Sequence, residues 1–309
     1  MASVIRALGL RKTFGASPAL DGLDLEVAEG EVHGFLGPNG AGKSTTIRIL
    51  LGLYRPSGGK VTLFGRSPWR RPDELHRRLA YVPGDVNLWP SLTGGEAIDV
   101  MIRLRGGSPR VSDRERLIEV FDFDPTKHIQ TYSKGNRQKV ALIAAFALPV
   151  ELYILDEPTS GLDPLMAQRF QEEVSRAAGR GASVLLSSHI LAEVEQVADR
   201  ISIIRRGRRV ETGTLAQLRH LTRTEYAIRG HLSSRHRELL TPLTQDLTLN
   251  DDRARFTVAP AHTARVLAVL ANANVTELIV QPPSLEELFL RHYGDEHTST
   301  ENHTSTGVR

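Results

Sequence analysis

Val32-His33-Gly34-Phe35-Leu36-Gly37-Pro38-Asn39-Gly40-Ala41-Gly42-Lys43-Ser44-Thr45 starts as an apolar run and becomes a glycine-rich turn. The run suits a short buried strand, and a helix pattern starts near Lys43 and continues to Leu51. Gly37 to Ser44 matches G-x-x-x-x-G-K-[ST] in full, between the strand and the helix that such a loop requires. Glycines let the backbone turn tightly and aim N–H groups at phosphate oxygens. The helix N-terminus adds positive potential. The expected cradle is therefore Gly37, Pro38, Asn39, Gly40, Ala41 and Gly42. Lys43 reaches the β- and γ-phosphates, Ser44 ligates Mg²⁺, and Thr45 adds a phosphate contact.

A second site of chemistry stands downstream. Leu152-Tyr153-Ile154-Leu155-Asp156-Glu157 is an apolar strand ending in two carboxylates. The carboxyl ends of buried parallel strands are where α/β sheets bind ligands. Asp156 is placed to hold magnesium through water, and Glu157 to orient or deprotonate an attacking water.

The surrounding pattern is α/β. Ser3 to Leu8 and Ala19 to Val27 read as strands of a β-subdomain. Val61 to Phe64, Leu152 to Leu155 and Val184 to Ser187 are further strands. Gly94 to Leu148 reads mainly as a helical insertion, with Ile98, Met101, Ile102 and Leu117, Val120, Phe121 at helical spacing. Pro164 to Gly179 is a helix between two strands, and Ile201 to Ile204 with Arg208 to Val210 form a hairpin around Gly207. This predicts a phosphate-loop domain over residues 1–221. Residues 222–293 change character to a βαββαβ order, which predicts a small α+β, ferredoxin-like C-terminal domain. Ser284 and Glu287 form a capping-box pattern opening a last short helix. The polar stretch 294–309 reads as a disordered tail.

Composition narrows the function. The chain has 309 residues and no cysteine, so disulfides and thiol catalysis are excluded. A net charge of +3 is too small for a strongly basic field, and no nucleic-acid partner is expected. The longest apolar run, Val140 to Val150, falls short of the ~20 residues that span a bilayer. No signal peptide is expected at the N-terminus.

With these motifs in order, residues from about Val4 to Leu221 resemble the ABC ATPases. Tyr132-Ser133-Lys134-Gly135-Asn136 resembles the family's signature motif, usually Leu-Ser-Gly-Gly-Gln. Ser160-Gly161-Leu162-Asp163 resembles its D-loop, and Ser188-His189 its switch histidine. The resemblance implies that ATP and Mg²⁺ are the ligands. It implies that Ser133, Gly135 and Asn136 cap the γ-phosphate of ATP held by a second copy, with Asp163 nearby. It also implies that His189 contacts the γ-phosphate and Glu157. Phe14 stands where the family places an aromatic that stacks on adenine; packing within the β-layer is the other reading of this residue. Two positions depart from the pattern: Gly84 replaces the usual Gln after Ala80-Tyr81-Val82-Pro83, and Lys134 replaces the first signature glycine.

Ser284 to Leu290 resembles the ending of ATPases from bacterial drug and antibiotic exporters. The resemblance implies an ATP-hydrolysing subunit at the cytoplasmic face of the membrane, driving export through a separate permease and pairing with a second ATPase subunit. The rival class is a soluble ABC ATPase that remodels nucleic acid or ribosomes. Such proteins usually carry two cassettes or a long coiled-coil insertion, and this chain shows neither. A small kinase or GTPase would leave the signature unexplained.

Overall fold

Residues 2–220, 224–250 and 252–281 are described by a computed structural model. Strands β1 (Ser3–Phe14) and β2 (Ser17–Ala28) form an antiparallel pair that alternates buried with exposed residues. Strand β3 (Val32–Leu36) differs, because all five of its residues are buried. Helix α1 (Lys43–Leu50) follows, then strand β4 (Gly58–Leu63), which completes a three-stranded sheet of order β2-β1-β4. Helix α2 (Pro72–Arg77) leads into strand β5 (Leu79–Val82).

The helical insertion comprises α3 (Gly94–Leu104), α4 (Arg114–Val120) and α5 (Lys134–Phe146). Helix α3 starts on a reciprocal cap. Thr93 Oγ1 accepts from Glu96 N at 3.2 Å, and Glu96 Oε2 accepts from Thr93 N at 2.8 Å. Helix α5 starts on Ser133. At its other end Arg105 donates to Ala144 O and Ala145 O at 2.9 and 3.0 Å, which satisfies carbonyls the helix leaves open. Ile98, Ile102, Leu117, Phe121, Val140 and Leu142 are fully buried.

Strand β6 (Leu152–Asp156), helix α6 (Pro164–Gly179), strand β7 (Ser183–Ser188), helix α7 (Leu191–Glu195) and the strands β8 (Arg200–Arg205) and β9 (Arg208–Thr214) follow. Pro164 occupies the first turn of α6, where its missing N–H costs nothing, and Asp163 caps it. The six-stranded sheet has the order β5-β6-β7-β3-β8-β9. The pairs β5–β6, β6–β7, β7–β3 and β3–β8 are all parallel. The carboxyl ends of β3, β5, β6 and β7 therefore share one edge of the sheet. On that edge stand Gly37, Gly84, Glu157 and His189, each just past its strand. Arg116 of α4 makes a bidentate pair with the buried Glu173 of α6, at 2.7 and 2.8 Å, and so ties the insertion to this core.

The chain divides into two units, Met1–Gly213 and Thr214–Arg309. Helix α8 (Leu215–His220), which the sequence places in the first domain, is grouped with the second unit. That unit continues with β10 (Thr224–His231), α9 (Ser234–Leu240), β11 (Thr244–Asn250), β12 (Arg253–Val258), α10 (Thr263–Ala271) and β13 (Asn274–Gln281). Its sheet order is β11-β12-β10-β13, with every neighbour antiparallel. Helix and strand order together make this a ferredoxin-like module. Tyr226 and Phe256 are cross-strand partners, stacked with ring centroids 5.6 Å apart, and both are buried. The capping-box pattern at Ser284 and Glu287 and the tail 294–309 lie outside the described residues.

Candidate active site

The glycine-rich turn packs too closely for side chains. A Cβ on Gly37 would lie 2.6 Å from Ile204 O. Gly42 has φ +110°, and a Cβ there would lie 2.7 Å from Leu20 Cδ2 and 2.8 Å from Ala19 O. Both sterics and backbone angle thus demand glycine at 42. Lys43 opens α1 and is buried. Its Nζ donates to Gly37 O at 2.6 Å and to Pro38 O at 3.2 Å, so the loop wraps its own cation. No acidic residue occupies the first turn of α1. Its N-terminal positive potential is left for an anion. Ser44 and Thr45 are half-buried at this same terminus, while Asn39 and Gly40 are exposed and Ala41 is buried.

Asp156 ends β6, is buried, and its Oδ1 accepts from Ser187 Oγ at 2.5 Å. Glu157 has φ +49°, a left-handed conformation uncommon for a residue with a side chain. The strain is held in place by the Glu157 N–H, which donates to Ser187 O at 3.1 Å. Glu157 Oε2 lies 2.6 Å from His189 Nδ1. A carboxylate can only accept, so Nδ1 carries the proton. Glu157 Oε1 lies 3.2 Å from Lys43 Nζ, close enough for an ion pair. The angles do not make it a hydrogen bond, and this buried oxygen has no hydrogen-bond partner. A buried acceptor left open beside a phosphate-loop lysine fits a site built to receive a polar ligand or water. Tyr81 stands nearby, its phenol pushed up to about 12 by burial first and by the Asp156 carboxylate second.

Gly84 touches the same turn. A Cβ there would lie 3.1 Å from Asp156 O and 3.3 Å from Glu157 Cβ. Gly84→Gln should therefore force the Asp156-Glu157 turn to yield by a few tenths of an ångström. The expected cost is about 1–3 kcal/mol of stability, read by denaturant unfolding. Unchanged stability would show that the turn has room to spare.

The signature residues and the Ser160-Gly161 turn form a second cluster, apart from Phe14. Ser133 is exposed and caps α5, its Oγ accepting from Asn136 N at 3.3 Å. Lys134 Nζ donates to Ser160 Oγ at 2.6 Å, and Asp163 caps α6 by accepting from Met166 N at 3.0 Å. Among the described residues, no hydrogen bond or ion pair joins Ser133, Gly135 or Asn136 to Lys43, Asp156, Glu157 or His189. Phe14 ends β1 half-exposed, with its ring edge-on to Tyr54 at 5.5 Å and Lys12 Nζ 4.9 Å from its centroid.

Two polar residues of the site carry no motif signal of their own. Ser187 holds both Asp156 and the Glu157 backbone. Glu193 accepts from Thr159 Oγ1 at 2.8 Å and from Ser188 Oγ at 3.1 Å, tying the turn after β6 to the end of β7. Only spatial pairing reveals them.

Comparison with known proteins agrees with this geometry. The ABC transporter family matches residues 20–160. The chain is 35% identical to the daunorubicin/doxorubicin resistance ATP-binding protein DrrA of Streptomyces peucetius, over 96% of this chain and 95% of that protein. It is 33% identical to the bacitracin transport ATP-binding protein BcrA of Bacillus licheniformis, over 68% of this chain and 70% of the other. A solved ATP-binding subunit of an ABC transporter, 33% identical, superposes with a TM-score of 0.65 over 71% of this chain and 92% of its own. With the phosphate loop, the acidic strand end and the ordered motifs in place, the chain belongs to the ATP-binding proteins of the ABC transporters, and it is an ATPase.

Proposed function

We propose that this ATPase energises export of small hydrophobic compounds, drugs or antibiotics among them, through a separate membrane permease. The observation that carries the proposal is the extent of the likeness to DrrA. It spans 96% of the chain and so runs beyond the cassette into the ferredoxin-like unit. A likeness confined to the cassette would speak for ATP hydrolysis alone. Residues 1–221 carry the ATPase chemistry in this reading, and the second unit is an accessory module.

The residues supply a route for hydrolysis. Lys43 and the amides of the loop offset the phosphate charge of ATP. Ser44 and Asp156 would hold Mg²⁺, which neutralises charge on the phosphate oxygens when bound. Ser187 fixes the Asp156 carboxylate for that task. Glu157 offers Oε1, which has no hydrogen-bond partner, to the attacking water and takes its proton as the water oxygen bonds to the γ-phosphorus and the bond from that phosphorus to the bridging oxygen breaks, releasing ADP. His189 holds the other carboxylate oxygen and so fixes the direction of Oε1. Phe14, half-exposed, offers a ring for adenine to stack on, worth roughly 1–3 kcal/mol by analogy with base stacking. The exposed Ser133 and the half-buried Gly135 and Asn136, with Asp163, complete the site of a second subunit across an ATP-bound dimer.

The permease partner has a docking place in this reading. Among the described residues no helix is long and apolar enough to cross a membrane. A groove lined by Pro83, Val86, Leu88, Met101, Ala141 and Ala145 lies between the turn after β5 and helices α3 and α5. Trp89, next in the chain to Leu88, is 47% exposed. A ring this exposed has surface to offer a partner, and tryptophan is enriched at binding hot spots. Trp89→Ala should keep the melting temperature and weaken membrane recruitment by about 30-fold, the equivalent of a ~2 kcal/mol hot spot. Early melting would make it a packing residue instead, and full recruitment would remove it from the interface.

Transport itself tests the proposal. Inverted membrane vesicles containing the chain and its permease should accumulate members of a panel of amphipathic antibiotics when given ATP and Mg²⁺. Chelating the metal should stop both uptake and hydrolysis. Intact ATPase without uptake of any compound would count against export.

A further inference from the structure

Lys134 departs from the family's usual glycine, and its surroundings give it a task. It occupies the first position of α5 and is exposed. A cation there opposes the helix dipole. Only six of the chain's 39 Lys and Arg residues are lysine, so general cation usage does not explain the choice. The Nζ donates to Ser160 Oγ at 2.6 Å.

The backbone beneath this bond is built for close approach. A Cβ on Gly135 would lie 2.4 Å from Gly161 O. Gly161 has φ +84°, and a Cβ on it would meet Lys134 Cγ at 3.3 Å and Gly135 N at 3.4 Å. The start of α5 and the Ser160-Gly161 turn are therefore in contact through backbone and through the lysine stem. Ser160 continues the path inward, since its N–H donates to Glu157 O at 3.1 Å. On one side of the turn Thr159 is held by Glu193, and on the other Asp163 caps α6. Contacts thus run from the start of α5 to the turn that carries Glu157.

We propose that Lys134 is a positioning residue. By binding Ser160 it joins the signature motif to the turn of Glu157 within one chain. On the dimer reading given above, on which this inference rests, the signature motif serves ATP held by the other subunit. Lys134 then couples that ATP to the carboxylate of its own subunit's site.

The test uses the full chain carrying Glu157→Gln, with Lys134→Ala, Ser160→Ala and both together. ATP-driven dimerisation is measured by sedimentation velocity, and amide hydrogen exchange of Ser160 and Gly161 in nucleotide-free protein. Each single change should weaken dimerisation by about tenfold, because a signature motif no longer held against the Ser160 turn must be ordered as the dimer forms, twice in each dimer. The double change should be no worse than either, since both remove one interaction. Exchange at the turn should speed up in each variant, and Lys134→Arg should restore part of the protection. Weaker dimerisation with Lys134→Ala but not Ser160→Ala would overturn the proposal, as would additive losses, because the lysine would then act on its own. A parent that fails to dimerise with ATP would contradict the dimer reading. In that case unchanged exchange in Lys134→Ala still overturns the tie, and faster exchange supports it.

Discussion

Glu157→Gln should bind ATP as tightly as the parent and hydrolyse it about 10²–10⁴-fold more slowly, the range for loss of a general base. The substitution keeps the shape of the side chain. It removes the negative charge that now lies 3.2 Å from Lys43 Nζ and the carboxylate that His189 holds at 2.6 Å. Lys43 loses a competitor for phosphate, so binding has no reason to weaken. The amide cannot accept a proton from water at neutral pH, so the chemical step should fail. Single-turnover hydrolysis and equilibrium binding of a fluorescent nucleotide separate the two effects. Hydrolysis near the parent rate would mean that the base lies elsewhere.

Lys43→Ala should weaken ATP binding by about 10²-fold or more, from the loss of charge-assisted hydrogen bonds to phosphate. The buried ammonium is already aimed by Gly37 O and Pro38 O, so little ordering remains to be done when phosphate arrives. The variant also leaves those two carbonyls without this donor. Its melting temperature should be measured beside affinity, so that a collapsed loop is not mistaken for a lost contact. Undiminished affinity in folded protein would remove Lys43 from the phosphate site.

The residues that were legible from sequence are those whose local chemistry is unusual. The phosphate loop announces itself because Gly37 and Gly42 occupy positions where a Cβ would collide, and because Lys43 must follow them. Asp156 and Glu157 stand out because two carboxylates end an otherwise apolar strand. The βαββαβ order of the second unit could be read from alternation and turns, and the sheet order β11-β12-β10-β13 agrees with it.

The rest depends on packing that no local pattern encodes. The strands β1 and β2 run several residues further than alternation suggests, because register shifts interrupt the period while pairing continues. Helices α2 and α7 were too short to show a period. Ser187 and Glu193 look like ordinary polar residues until the strand ends bring them beside Asp156 and Thr159, and the D-loop motif does not announce that Ser160 receives Lys134. The closeness of Gly84 to the Glu157 turn is likewise invisible in sequence, where it registers only as a missing glutamine.

The partner that co-purifies with the chain separates export through a permease from soluble remodelling. The full chain, affinity-tagged and expressed in the cells that encode it, should be recovered from detergent-solubilised membranes. A multi-spanning membrane protein should co-purify in stoichiometric amount, the assembly should hydrolyse ATP, and Glu157→Gln should slow hydrolysis about 10²–10⁴-fold while the assembly stays together. Recovery with ribosomes or nucleic acid, and with no membrane protein, would contradict export.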